Sequence, residues 1–176
     1  MKNRTCYFWG LLFIISLMST QAPAKKIHNR PYRFSIVLPD KLIQIKGNDT
    51  LTYADYYFDS SAGIFLMLSV FKTKFNSATD YLNCASESLE RQLKQDYGDT
   101  TLQLVSCNKS KFYPGQTNVL HFRVTETGNG YDTYVIYFIH HHRTDIQISF
   151  TFRKSKEQMS MAYIDRIMNT LKLYRF

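Results

Sequence analysis

Residues 117–173 run TNVLHFRVTE (117–126), TGNG (127–130), YDTYVIYFIH (131–140), HHR (141–143), TDIQISFTF (144–152) and, after two basic residues, SKEQMSMAYIDRIMNTLKL (155–173). The order is strand, turn, strand, turn, strand, helix, because apolar residues alternate in the first three long segments and recur at helical spacing in the last. With Gly128-Asn129-Gly130 as the hairpin loop, Thr127 faces Tyr131. Leu120, Phe122 and Val124 then oppose Phe138, Ile136 and Tyr134, and a second turn near His142-Arg143 brings Ile148 and Phe150 beside Phe138 and Ile136. This face is expected to be core. The opposite face carries His121, Arg123, Tyr137, Ser149 and Thr151 and is mixed in character. A one-residue slip would exchange the two faces of a strand, so the apolar match supports the pairing.

The closing helix is expected to start at Ser155, with Gln158 completing a capping box. Met159, Ile164, Ile167, Met168 and Leu171 form a stripe able to cover the sheet.

Upstream, residues 25–33 are basic and read as loose chain, followed by a short strand through Phe34, Ile36 and Leu38 that Pro39 stops. Leu42, Ile43 and Ile45 make an apolar patch before the turn residues Gly47-Asn48-Asp49, and residues 51–58 read as a tyrosine-rich strand. Residues 63–71, GIFLMLSVF, are apolar at both parities, which predicts a central strand covered on both sides. Ser77 caps a first helix carrying Tyr81, Leu82, Ala85, Leu89 and Leu93, which Gly98 is placed to end. A strand from 102 to 112 and a turn at Pro114-Gly115 lead into the three-strand block. The sum is an α+β fold: one antiparallel β-sheet of about six or seven strands with one helix packed on each face, in α/β/α layers.

The openings and closings of this pattern, FSIVLP (34–39), IQISFTF (146–152) with its following amphipathic helix, and LKL (171–173), resemble the PsbP-like superfamily, which includes the bacterial DcrB proteins. The likeness spans about residues 31–173. It implies a sheet flanked by helices and members that serve mostly as non-enzymatic binders, assembly factors or adaptors. No ligand motif of the family matches, so the resemblance carries over no functional residue.

The first 24 residues read as a signal peptide: Lys2 and Arg4 precede an apolar run from 7 to 18, and Ala22-Pro23-Ala24 offers a cleavage site. The run is shorter than the ~20 residues that span a bilayer, so no stable membrane span is expected after cleavage. Residues 25–176 then form a single domain, periplasmic or secreted. Removing Lys2 and Arg4 lowers the formal charge of +8 by two. After export this excess points away from nucleic acid and towards anionic envelope surfaces or an acidic protein. Cys84 and Cys107 remain, an even number in an exported chain, and are expected to form a disulfide. Counting from a reversal near Gly98-Asp99, each lies about 20 Å away, one along a helix and one along a strand.

Two constellations invite chemistry. His140 and His142 share one side of a strand end and, with Asp145, could hold a divalent metal, although a polar hairpin tip is the expected reading and no metal or other cofactor is predicted. His121, Arg123, Tyr137 and Ser149 share the mixed face, where His121 would stand across from Tyr137 with Ser149 next in the row. A hydrolase using His121 and Ser149 would also need an orienting acid and oxyanion donors, and neither a G-x-S-x-G elbow nor a placed acid is present. The four residues are therefore read as a binding surface, with no catalytic residues. Tyr53, Tyr56 and Tyr57 suit an interface as well as a strand. Asn48 and Asn108 begin glycosylation acceptor triplets, relevant only in a eukaryotic host. The functional expectation is an exported, non-enzymatic binding or adaptor protein whose partner is an envelope protein. A narrower form is an immunity protein that meets a delivered toxin in the periplasm.

Overall fold

A computed structural model describes residues 24–45, 53–97, 102–113, 116–124 and 132–174. Residues 1–23 of the expected signal peptide, the turns at 47–49 and 114–115, the helix stop at Gly98 and the 128–130 loop lie outside the described residues. The elements are β1 (Ala24–Asn29), β2 (Phe34–Pro39), β3 (Ile43–Ile45), β4 (Tyr53–Asp59), β5 (Ile64–Lys72), α1 (Ala78–Tyr97), β6 (Leu102–Lys109), β7 (Thr117–Val124), β8 (Thr133–His141), β9 (Thr144–Phe152), α2 (Glu157–Met168) and β10 (Lys172–Leu173). Seven strands form an antiparallel sheet in the order β3-β4-β5-β9-β8-β7-β6, and β1-β2-β10 form a smaller second sheet. The fold is α+β, with α1 and α2 on opposite faces of the large sheet.

The register differs from the expectation at both hairpins. Leu120 faces Ile136 and Phe122 faces Tyr134, two residues from the predicted partners. An even slip keeps every side chain on its face. At the second hairpin His141 pairs with Thr144, so the loop is His142-Arg143 alone and Ile148 stands opposite Tyr137 rather than Phe138. That slip is odd, and it turns β9 over. Ile146, Ile148, Phe150 and Phe152 therefore join Val135, Tyr137 and Ile139 on one face, while Gln147, Ser149 and Thr151 join Phe138, Ile136 and Tyr134 on the other.

Each helix accordingly covers a different set from the one expected. The larger core lies under α2 and the small sheet: Phe34, Ile36 and Leu38 of β2 and Ile164, Ile167, Met168 and Leu171 close over β5, β8 and β9. The smaller core lies under α1, where Tyr81 and Leu82 meet Leu120, Phe122, Val124, Ile136 and Phe138. Residues 25–33 are not loose, because residues 25–29 continue β1 and pair with β2. That pairing explains how β2 can bury Phe34, Ile36 and Leu38 away from the large sheet's edges.

Helix starts divide in the same way. Ser77 Oγ accepts the backbone N–H of Asp80 at 3.1 Å, the expected cap of α1. Ser155 instead sits in a 3-10 turn, α2 begins at Glu157, and no side chain caps it. Met159 is 55% exposed, off the covering stripe, because five residues of helix set it about 140° round the axis from Ile164. Cys84 lies on α1, and Cys107 lies on β6, paired with Leu120 of β7. Their side chains lie outside the described residues. No helix among the described residues is long and apolar enough to cross a membrane.

Candidate functional site

The structure separates the four residues read as a binding surface. Registers place His121, Arg123 and Tyr137 on the α2 side of the sheet and Ser149 on the α1 side. The hydrolase pair His121/Ser149 is thus divided by the sheet itself, the direct result of the odd slip of β9. Arg123 Nη2 donates to Glu157 Oε2 at 2.6 Å, which ties β7 to the first turn of α2. His121 Nε2 lies 3.4 Å from Glu157 Oε1, too poorly aligned to be a hydrogen bond, and stays buried without a partner. Burial lowers the His121 pKa and the Arg123 charge lowers it further, against the pull of Glu157. The imidazole is therefore neutral at pH 7, and this cluster fastens a helix. Tyr137 is 3% exposed, and burial pushes its hydroxyl far above the ordinary range.

The three histidines at the β8–β9 turn diverge. His140 Nδ1 and Asp145 Oδ1 are 2.7 Å apart. His141 is buried on the other face, its Nε2 2.8 Å from the Tyr174 carbonyl oxygen. His142 lies in the loop with φ 56°, so it does not share a strand face with His140. Among the described residues no three His, Cys, Asp or Glu side chains are grouped to hold a metal.

Among the described residues, half of one sheet face remains open. Seven strands about 4.8 Å apart span roughly 29 Å, whereas a helix with its side chains is about 10 Å wide. α1 lies over β6, β7 and β8, and no helix among the described residues covers β3, β4, β5 and β9 on this face. Two cross-strand rows run through this uncovered half: Ile45-Tyr56-Met67-Ser149 and Ile43-Phe58-Phe65-Thr151. Ile43 is 67% exposed, Ile45 47% and Phe65 38%. Phe58 and Phe65 stack with centroids 4.3 Å apart, which holds the aromatic surface flat. A groove of about 360 Å³ borders α1, lined by Leu89 and by Tyr56, Phe65, Met67, Ser149 and Tyr134.

Of the four residues named from sequence, only Ser149 belongs to this surface. Tyr56 was also singled out as an interface residue, and the rest were missed because an apolar strand was read as covered on both sides. The available clue was arithmetic: one helix per face cannot cover seven strands. Chain composition alone could not say which half stays open, since that depends on where α1 lands.

No family model matches the sequence, and neither does any curated protein. Solved structures do. The chain is similar to the cyanobacterial PsbP, CyanoP, of Synechocystis sp. PCC 6803, at 13% identity over 87% of this chain and 94% of that one, with a TM-score of 0.64. A Bacteroides thetaiotaomicron VPI-5482 protein matches over 86% of this chain and 48% of its own at 14% identity, with a TM-score of 0.53. PA94 of Pseudomonas aeruginosa, a protein of unknown function, matches over 87% and 99% at 13% identity, also with a TM-score of 0.53. The chain has the PsbP-like fold, as the short motifs implied.

Proposed function

We propose that the protein is an exported, non-enzymatic binding or adaptor protein that meets an envelope protein through the uncovered half of its large sheet. The observation that carries this reading is the two rows of apolar and aromatic side chains on β3, β4 and β5. Exposed apolar area of this kind is costly to leave in water and marks contact surfaces. Tyr56, Phe58 and Phe65 supply the rigid aromatic area on which interface energy concentrates. The exported setting rests on the basic, apolar and small-residue order of the first 24 residues. In that setting Cys84 and Cys107 close a disulfide between α1 and β6.

The test is site-specific photo-crosslinking in the producing cells. A photoreactive residue at position 43 or 65 yields a discrete protein adduct, and one at Met159, exposed on α2, does not. Ile43→Lys abolishes the adduct at 65 while changing folding stability by no more than about 0.5 kcal/mol, as surface substitutions usually do. Equal labelling at all three positions, or none at 43 and 65, overturns the reading.

A further inference from the structure

A cavity of about 720 Å³ opens where three turns meet: residues 31–33 between β1 and β2, residues 72–76 beyond β5, and residues 142–144 between β8 and β9. It shares no lining residue with the groove beside α1. Among the described residues, Lys72, Lys74 and Arg143 bring three cationic side chains into its wall beside Arg33, His142 adds an imidazole, and no carboxylate lines it. Asp145 borders the adjoining cavity, which Lys72 and Lys74 also line, and there it is engaged by His140 at 2.7 Å. Tyr32 and Phe75 contribute ring faces, so the wall is not charge alone.

Backbone strain marks the same wall. Arg33 (φ 58°) and His142 (φ 56°) both hold left-handed conformations, and His142 opens a two-residue hairpin loop. Glycine is the usual occupant of such positions. Here each carries a cationic or imidazole side chain into the same cavity wall, an arrangement that turn stability alone disfavours. The wall is also held in place. The N–H of Thr73 donates to the Arg143 carbonyl at 3.0 Å, and that of Tyr174 donates to the Arg33 carbonyl at 2.9 Å.

We infer that this cavity binds a phosphate-bearing ligand with two or more negative charges, a diphosphate being the smallest example. Three cations exceed what a single carboxylate would match. The Arg143 guanidinium supplies a planar fork for phosphate oxygens, and two ammoniums supply compact point charges. The volume falls within the range of small-ligand sites, and the two rings give an attached organic group something to lie against.

Isothermal titration of the full chain with inorganic pyrophosphate tests the site, and flotation with phosphatidic acid vesicles distinguishes a lipid headgroup from a free ligand. Pyrophosphate is expected to bind saturably, more tightly than orthophosphate, and more weakly as salt rises. The triple variant Lys72→Ala, Lys74→Ala, Arg143→Ala loses about tenfold or more in affinity. Lys94→Ala, which removes a charge paired with Glu90 on α1, leaves affinity unchanged. Vesicle binding that pyrophosphate displaces assigns the phosphate to a lipid; pyrophosphate binding without vesicle binding assigns it to a soluble ligand. His142→Gly separates a site from a fold defect: it raises the melting temperature and still weakens pyrophosphate. Failure of pyrophosphate to bind saturably, or equal weakening by Lys94→Ala and the triple variant, overturns the inference.

Discussion

His121 is 9% exposed, and beside it Arg123 holds Glu157 at 2.6 Å. Because burial and the neighbouring guanidinium lower its pKa, the folded protein takes up a proton on this ring less readily than the unfolded chain. The resulting stabilisation is complete above the ordinary value of 6.5 and is lost as pH falls from there through the lower folded value. Urea unfolding across pH 7 to 5 should therefore show stability declining, and His121→Gln should flatten that slope. An unchanged slope would mean that the ring is charged in the fold. Asp59 is a second buried group with a defined role. Burial alone would raise its pKa, but hydrogen bonds from Ser61 Oγ, the Ala62 N–H, the Tyr163 hydroxyl and the Ser61 N–H together lower it. The Tyr163 contact, at 2.9 Å, joins the β4–β5 turn to α2. Gly63, at φ 67°, completes that turn in a conformation few other residues adopt.

At the scale of elements, the two helices do unequal work. Ile164 of α2 is fully buried against the larger core, while Met159, five residues earlier, faces solvent. Ile164→Ala should cost about 2–5 kcal/mol and Met159→Ala under about 0.5, measured by denaturant unfolding. A large loss at Met159 would restore the stripe expected from sequence. The comparison shows what could be read early. Strand identity and the apolar parity of β2, β7 and β8 were legible because alternation is local. The partner of β9 was not, since it hinges on whether the His142-Arg143 loop holds two residues or three, and no periodicity reports that. β1 and β10 were missed for a related reason: a short basic strand and a two-residue strand carry too little pattern to stand out, and both exist by pairing with β2. The shared face assumed for the binding surface did not form, as Ser149 and its three companions parted when β9 turned over.

At the scale of the molecule, the asymmetry between the two cores has a kinetic side. The core beneath α2 gathers strands of both sheets, whereas the one beneath α1 takes, among the described residues, Tyr81, Leu82 and part of Leu89 from the helix. Regions with fewer buried contacts open at lower free energy than the whole protein unfolds. Amides of α1 should thus exchange with deuterium faster than those of β5 and β9. A closed Cys84–Cys107 bridge would slow α1, and a reductant would speed it; equal protection of both helices would contradict the two-core picture.

The strand order fixes what lies at the two margins of the large sheet. One margin is β3, only three residues long. The other is β6, whose regular pairing with β7 is broken by an irregularity between Leu104 and Ser106. Short or bulged borders deny a neighbouring molecule a straight ladder to extend. The protein can therefore keep greasy side chains in water without seeding fibrils: an oncoming copy can lie flat against it but finds no long rung on which to polymerise.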